Sequence, residues 1–273
     1  MSERFRTFEA SDPAIPADGL RFVTVKSASL GMRADITFHM PAAAAGQRAL
    51  PLLVLLHGVY GSHWAWALKG GVHLTAARLV AEGALPPIAI AMPSDGLWGD
   101  GSGYVRHCGQ DFERWIIDEV PAAARELSPS VAADSPLLVA GLSMGGFAAL
   151  RFAGKYPHRI AAAAAHSAVT AVSELDSLIA ESRAGWSTDP ADLTVLEALA
   201  GAKAPMPPIR FDCGLADSYL EPNRALHREL DKRGIAHVYA EAEGGHDWDY
   251  WSREVEQTLR FFGKVLQQQD PNP

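Results

Sequence analysis

The chain has only two cysteines, Cys108 and Cys213, in 273 residues. Two cannot build a disulfide framework, and neither sits in a zinc-type spacing, so neither an extracellular disulfide scaffold nor a cysteine-held metal is expected. Long apolar runs are lacking as well: "IAAAAAHSAV" comes nearest and falls far short of a membrane span. There is no excess of positive charge. The 24 Lys and Arg against 32 Asp and Glu leave a formal net charge of −8, which gives no electrostatic footing for nucleic acid or an anionic membrane. The opening "MSERFRTFEASD" lacks the apolar stretch of a secretion signal. A cytoplasmic location is therefore the expectation. Internal repeats and long low-complexity segments are absent too.

What is present is an ordinary globular composition, with 48% hydrophobic and 21% charged residues. That suffices to bury a core without metal or disulfide. The first third reads as β-rich: "RFVTVKSASL" and "RADITFHM" form two strands joined through Gly31, and "LPLLVLLHG" is a buried strand ending in a glycine turn. Helices and strands then alternate. "HLTAARLVAEGAL" is a helix, "PPIAIAMP" a strand, and "DFERWIIDEVPAAAREL" a helix with Phe112, Trp115, Ile116, Val120, Ala123 and Leu127 on one face. Pro121 kinks that helix or divides it in two. Strand "PLLVAG", helix "GGFAALRFAGKY", strand "IAAAAAHSA", strand "PIRFDCG", helix "NRALHRELDKRG" and strand "AHVYAEAE" follow. A last helix from about Asp249 to Gln268 aligns Trp251, Val255, Leu259, Phe262 and Leu266. Continuous apolar strands between amphipathic helices predict an α/β fold, with a mainly parallel sheet covered on both faces and antiparallel strands at its N-terminal edge. A single domain over residues 1–273 is expected. Residues 172–207 read either as a small cap-like insertion over one end of the sheet or as a pair of surface helices.

The chemistry centres on "VAGLSMGGFAAL", in which Ser143 sits in a G-x-S-x-G pattern between a strand and a helix. In a nucleophile elbow the serine occupies a strained turn that exposes its hydroxyl. Gly141 and Gly145 relieve crowding there, and Gly146 lets the helix start close to the sheet. The Met144 amide, at the helix N-terminus, can donate to a developing oxyanion. A serine hydroxyl needs a base and an orienting acid. Position selects His246, in the glycine turn of "EGGHDWDYW" after the last strand, from ten histidines. His166, at the end of the strand beside the nucleophile strand, is the rival, as base, pocket wall or core histidine. Asp217 in "CGLADSYL" falls between serine and histidine, as the chain order Ser, Asp, His requires. Asp212, inside the strand before it, is the alternative. "LLVLLHGVYGS" supplies the second oxyanion donor, the Val59 amide, with Tyr60 as runner-up. His57 reads as a residue that holds this loop. Trp64, Trp66, Trp98, Tyr104, Trp186 and Trp248 lie near loops that can rim the site or pack in the core. Tyr60, Trp64, Trp186 and Trp248 are the substrate-binding candidates.

Together "VKSASLGMRADITFHMP", "LLHGVYG", "AMPSDG", "GLSMGGFAALRFAGKYP", "CGLADSYLEPNRALHREL" and "GGHDWDYW" resemble the esterase D-like branch of the α/β-hydrolase superfamily over most of the chain. That branch includes tributyrin-type esterases, feruloyl esterases, S-formylglutathione hydrolases and the mycolyltransferases of the antigen 85 group. The resemblance implies a triad of Ser143, Asp217 and His246, an oxyanion hole at Val59 and Met144, and no cofactor or metal. It implies a serine carboxylesterase acting on short-chain acyl or aryl esters of small molecules. "HGVYGSHWAW" stands where formylglutathione hydrolases carry a cysteine-containing loop, which disfavours that thioesterase activity. Acyl transfer remains an alternative, and so does a catalytically silent hydrolase fold used for binding. The sequence is compatible with a homo-oligomer.

Overall fold

The apolar segments of the middle of the chain become the centre of a nine-stranded sheet. The computed structural model describes residues 5, 7–13, 17–41 and 48–269. The strands are β1 (Phe8–Ala10), β2 (Leu20–Lys26), β3 (Arg33–His39), β4 (Leu52–Leu56), β5 (Ala89–Pro93), β6 (Leu137–Leu142), β7 (Ala162–His166), β8 (Ile209–Gly214) and β9 (Val238–Ala242). Their order across the sheet is β1-β2-β3-β5-β4-β6-β7-β8-β9. Pairing is antiparallel from β1 to β5 and parallel from β5 to β9. Every residue of β4, β6, β7 and β8 is buried, because helices cover both faces there. At the edge, β2 alternates between buried and more exposed positions, as a strand covered on one side does.

Five longer helices supply the cover: α1 (Val72–Ala81), α2 (Val120–Leu127), α3 (Met144–Lys155), α4 (Leu220–Lys232) and α5 (Trp248–Gln269). On one face Val72, Ala76 and Leu79 of α1 pack with Trp251, Val255, Leu259, Phe262 and Leu266 of α5 against Leu53, Leu55, Ile90 and Leu138. The other face is filled by α2, α3 and α4 through Val120, Phe147, Leu150, Leu226 and Leu230. The expected stripe on the last helix is thus the stripe that is buried. Among the described residues no helix is long and apolar enough to cross a membrane.

Pro121 does not divide its helix in two: the chain stays helical from Phe112 to Leu127, with a π-helical turn just before the proline. Phe112–Arg114 is α-helical, Trp115–Glu119 is a π-helical turn, and α2 begins at Val120. Proline has no N–H to give the carbonyl four residues back. That carbonyl, Ile117 O, instead accepts a hydrogen bond from Arg159 Nη2 at 2.8 Å.

Residues 172–207 run between β7 and β8 as a short 3₁₀ turn, Val172–Ser177, and two short helices, Pro190–Leu193 and Val195–Ala200. A buried ionic cluster ties them to α3. Arg151, with a fully buried side chain, donates from Nη2 to Glu113 at 3.1 Å and to Asp192 at 3.3 Å. Lys155 donates to the same two carboxylates, Ser187 Oγ donates to Asp192 at 2.6 Å, and Tyr156 Oη donates to Glu113. Burial pushes the Asp192 carboxyl up, but the charges of Arg151 and Lys155 and the bond from Ser187 outweigh it and hold it below the usual range. The cluster holds two cations against two anions. Arg151→Met leaves it one cation short, and removing one partner from a buried ion pair costs about 3–5 kcal/mol. The expected result is a correspondingly lower urea midpoint; a change within about 1 kcal/mol would contradict this reading.

Four histidines, His39, His63, His73 and His107, are held below the ordinary imidazole value by burial. His39 is pushed down to about 4, by burial first and the neighbouring His73 second. In the unfolded chain these rings take a proton near pH 6.5, which the folded chain refuses. Stability is therefore full above that pH and falls as pH drops toward the folded value. His39 alone accounts for about 2 kcal/mol between pH 7 and pH 5. Urea unfolding at both values should show this loss, and His39→Leu should remove its share of it.

Candidate active site

The site forms at the carboxyl ends of the parallel strands, where successive loops converge. Ser143 follows β6 directly with φ +51° and ψ −118°, a backbone conformation that L-residues rarely adopt. Crowding accounts for the small residues around it. A Cβ on Gly145 would lie 2.5 Å from Leu56 O and 2.6 Å from His57 O, and one on Gly141 would lie 2.4 Å from the Gly145 carbonyl carbon. The turn is clamped by Ser143 N donating to His166 O at 2.9 Å and by Phe147 N and Val169 N donating to Ser143 O.

His246 reaches the serine from the loop after β9, with Nε2 3.1 Å from Ser143 Oγ. Its Nδ1 lies 3.1 and 3.0 Å from the two oxygens of Asp217, on the loop after β8. Because the carboxylate can only accept there, Nδ1 carries the proton and Nε2 presents a lone pair to the serine. Burial pushes the Asp217 carboxyl up. Hydrogen bonds from His246 and from the Tyr219 amide (2.8 Å), with the Ser167 hydroxyl close by, outweigh burial and hold it below the usual carboxylate range. It therefore stays charged through mildly acidic pH. Ser167 is itself positioned, because its Oγ accepts from Trp251 Nε1 at 3.1 Å. The Trp251 ring also meets His246 edge-on, at 4.9 Å and 88°.

The loop after β4 lies against the serine so closely that a Cβ on Gly58 would come within 3.2 Å of Ser143 Cβ. Among the described residues, neither the Val59 nor the Met144 amide donates to a protein acceptor, whereas the Tyr60 amide donates to Asp100 O at 3.0 Å. The Tyr60 amide is thus occupied. His57 Nδ1 donates to Gly58 O at 2.7 Å, and its Nε2 accepts from the Asp95 amide at 3.1 Å. Both ring nitrogens are engaged in holding the loop. Met144 is fixed in turn: its sulfur accepts from the Gly103 amide at 3.3 Å.

The rival residues form a separate group. His166 Nδ1 lies 3.0 Å from Asp212 Oδ1, and His166 Nε2 lies 3.2 Å from Thr258 Oγ1. Asp212 also accepts from Tyr250 Oη at 2.8 Å and from Arg210. This is a satisfied core network, with His166 fully buried.

Above the serine opens a cavity of about 660 Å³. Tyr60, Trp64 and Trp248 line it, together with Leu142, Lys69, Leu178, Tyr219 and Trp251. Trp186 does not line it, which corrects the expectation that it touches substrate. Its ring is 7% exposed and stacks on His107 at 4.4 Å and 4°. Trp66, Trp98 and Tyr104 are likewise absent from the cavity wall. Of residues 172–207, Glu174, Ser177 and Leu178 border the cavity. Sequence reasoning missed Tyr219, Ser167 and Trp251 as site residues. Trp251 was visible only as part of the buried stripe of α5, since its indole N–H serves the site while its ring serves the core.

A family model described as "Putative esterase" matches residues 27–262. An acetyl esterase from Caldicellulosiruptor saccharolyticus is 27% identical over 235 residues, which cover 79% of this chain and 84% of that protein. Among solved structures, a ferulic acid esterase superposes with a TM-score of 0.73 at 22% identity, covering 90% of this chain and 98% of its own. The Staphylococcus aureus serine hydrolase FphF gives 0.77 at 21% identity, covering 89% and 97%. These two likenesses carry the α/β-hydrolase architecture, and the family match carries the class of chemistry. With a serine, a histidine and an aspartate already in line at the sheet's edge, the chain belongs to this esterase family as a serine carboxylesterase.

Proposed function

We propose that the protein hydrolyses short-chain acyl or aryl esters of small molecules through an acyl-enzyme on Ser143. The observation that carries this reading is the hydrogen-bonded line Ser143–His246–Asp217 at the floor of an aromatic-walled cavity. Ser143 Oγ attacks the ester carbonyl as His246 Nε2 takes its proton, and Asp217 stabilises the resulting imidazolium. The oxyanion collects at the Val59 and Met144 amides, which have no acceptor among the described residues. The imidazolium then protonates the departing alcohol. Water, deprotonated by the same histidine, attacks the acyl carbonyl and releases the acid. This chemistry calls for no metal or organic cofactor.

Tyr60, Trp64 and Trp248 would contact the acyl or alcohol group. The acetyl esterase and ferulic acid esterase relatives support small acyl and aryl substrates respectively. Residues 172–207 act as a fixed wall of the cavity, held by the Arg151 cluster. The unpaired Cys108 and Cys213 fit a reducing compartment such as the cytoplasm.

Ser143→Ala is expected to lower kcat for p-nitrophenyl acetate by about 10⁴-fold or more and to abolish labelling by a fluorophosphonate probe, with an unchanged circular dichroism spectrum. Substantial turnover by purified variant would refute the mechanism. Ser167→Ala removes the hydroxyl beside the Asp217 carboxylate, which is also the acceptor of the Trp251 indole N–H. It should lower kcat by up to about tenfold with KM little changed. A change confined to KM would place Ser167 in substrate binding instead.

A further inference from the structure

The C-terminal end of α4 and the start of β9 bring two imidazoles and a carboxylate together on the side of the molecule away from the cavity. His227 and Asp231, four residues apart, share one face of α4. His237 stands just before β9. One ligand atom from each of the three lies within 4.8 Å of the others. His227 Nδ1 is 2.7 Å from His237 Nε2, while Asp231 oxygens lie 3.5 Å from His227 Nε2 and 3.9 Å from His237 Nε2. None of the three lines the cavity.

The surroundings resemble those of a ligand set more than those of a casual contact. His237 Nδ1 donates to Ile235 O at 2.7 Å, which turns the lone pair of Nε2 toward the other two residues. A backbone carbonyl in that role is the usual support of a metal-bound histidine. Rings fix both imidazoles: Phe211 stacks on His237 at 5.5 Å and 21°, and Tyr239 stacks on His227 at 4.7 Å and 24°. Neighbouring cations are engaged elsewhere, Arg224 with Glu221 and Glu241, and Lys232 with Glu229. Asp231 therefore faces the histidines without a stronger competitor among the ion pairs of the described residues.

The geometry points to a site for a zinc-class divalent ion bound by His227, Asp231 and His237, with water in the fourth position. Two nitrogens and one oxygen suit zinc, cobalt or nickel, not the all-oxygen shells of calcium and magnesium. Tetrahedral zinc holds its nitrogen donors about 3.3 Å apart, so the pair of rings must open by roughly half an ångström. His227, whose side chain is 36% exposed, has room to move. The proton that now bridges the two rings moves to the other nitrogen of His227, freeing a lone pair for the ion. Such an ion would clip α4, which begins just after Asp217, to β9, which ends just before His246.

Chelator-stripped full-length protein titrated with Zn²⁺ should bind one equivalent and melt at higher temperature. Co²⁺ in its place should give the visible absorption of a low-symmetry nitrogen and oxygen site. Asp231→Asn, at an exposed position, should keep the fold and the ester turnover while weakening Zn²⁺ at least about tenfold. His237→Gln should weaken it further. Absence of saturable binding by the parent protein would overturn the site, as would parent-like affinity in both variants, which would place the ion on other histidines.

Discussion

The approach of Gly145 to the carbonyls of Leu56 and His57 is the constraint on which the rest of the site depends. It lets α3 begin almost in contact with the end of β4, and the price is a serine at φ +51°. Backbone strain of that kind costs about 1–3 kcal/mol. Hydrogen bonds from Ser143 N, Phe147 N and Val169 N hold the turn, and α3 is buried over nearly its whole length. The same closeness seats the Gly58–Val59 loop beside the serine. One packing contact thus brings together the hydroxyl and the Val59 and Met144 amides.

Three histidines near this turn differ in what their second nitrogen is doing. Both nitrogens of His57 hold backbone groups, and both nitrogens of His166 are engaged inside the core with Asp212 and Thr258. His246 alone of the three joins a carboxylate on one side to the serine hydroxyl on the other. Its partner Asp217 is kept charged by His246 and by the Tyr219 amide, a donor outside the proposed triad, with the Ser167 hydroxyl close by.

Much of this was legible in the sequence, for identifiable reasons. The strands β4 to β8 could be read because burial on both faces demands continuous apolar runs, and α5 because its stripe spans many turns. The elbow was legible because crowding restricts its flanks to glycine, and His246 and Asp217 because chain order and loop position single them out. The three-residue β1 is too short to carry a period. The π-helical turn at Trp115–Glu119 leaves no mark beyond Pro121, since its geometry answers a missing N–H. Trp186 misled because a tryptophan near a loop looks the same whether it walls a cavity or stacks on a histidine. Ser167 was hidden because its importance lies in its neighbours Asp217 and Trp251, 50 and 84 positions away.

The buried cluster around Arg151 has a further consequence. It joins the segment that bears Glu174, Ser177 and Leu178 to the helix that carries the proposed nucleophile at its N-terminus. The wall of the cavity and the elbow then belong to one cooperative unit, because separating them would strand charges in an apolar interior. The cavity is in this sense a preformed mould. Even the exposed Tyr60 is tied in, because its hydroxyl donates to Leu178 O on the opposite wall.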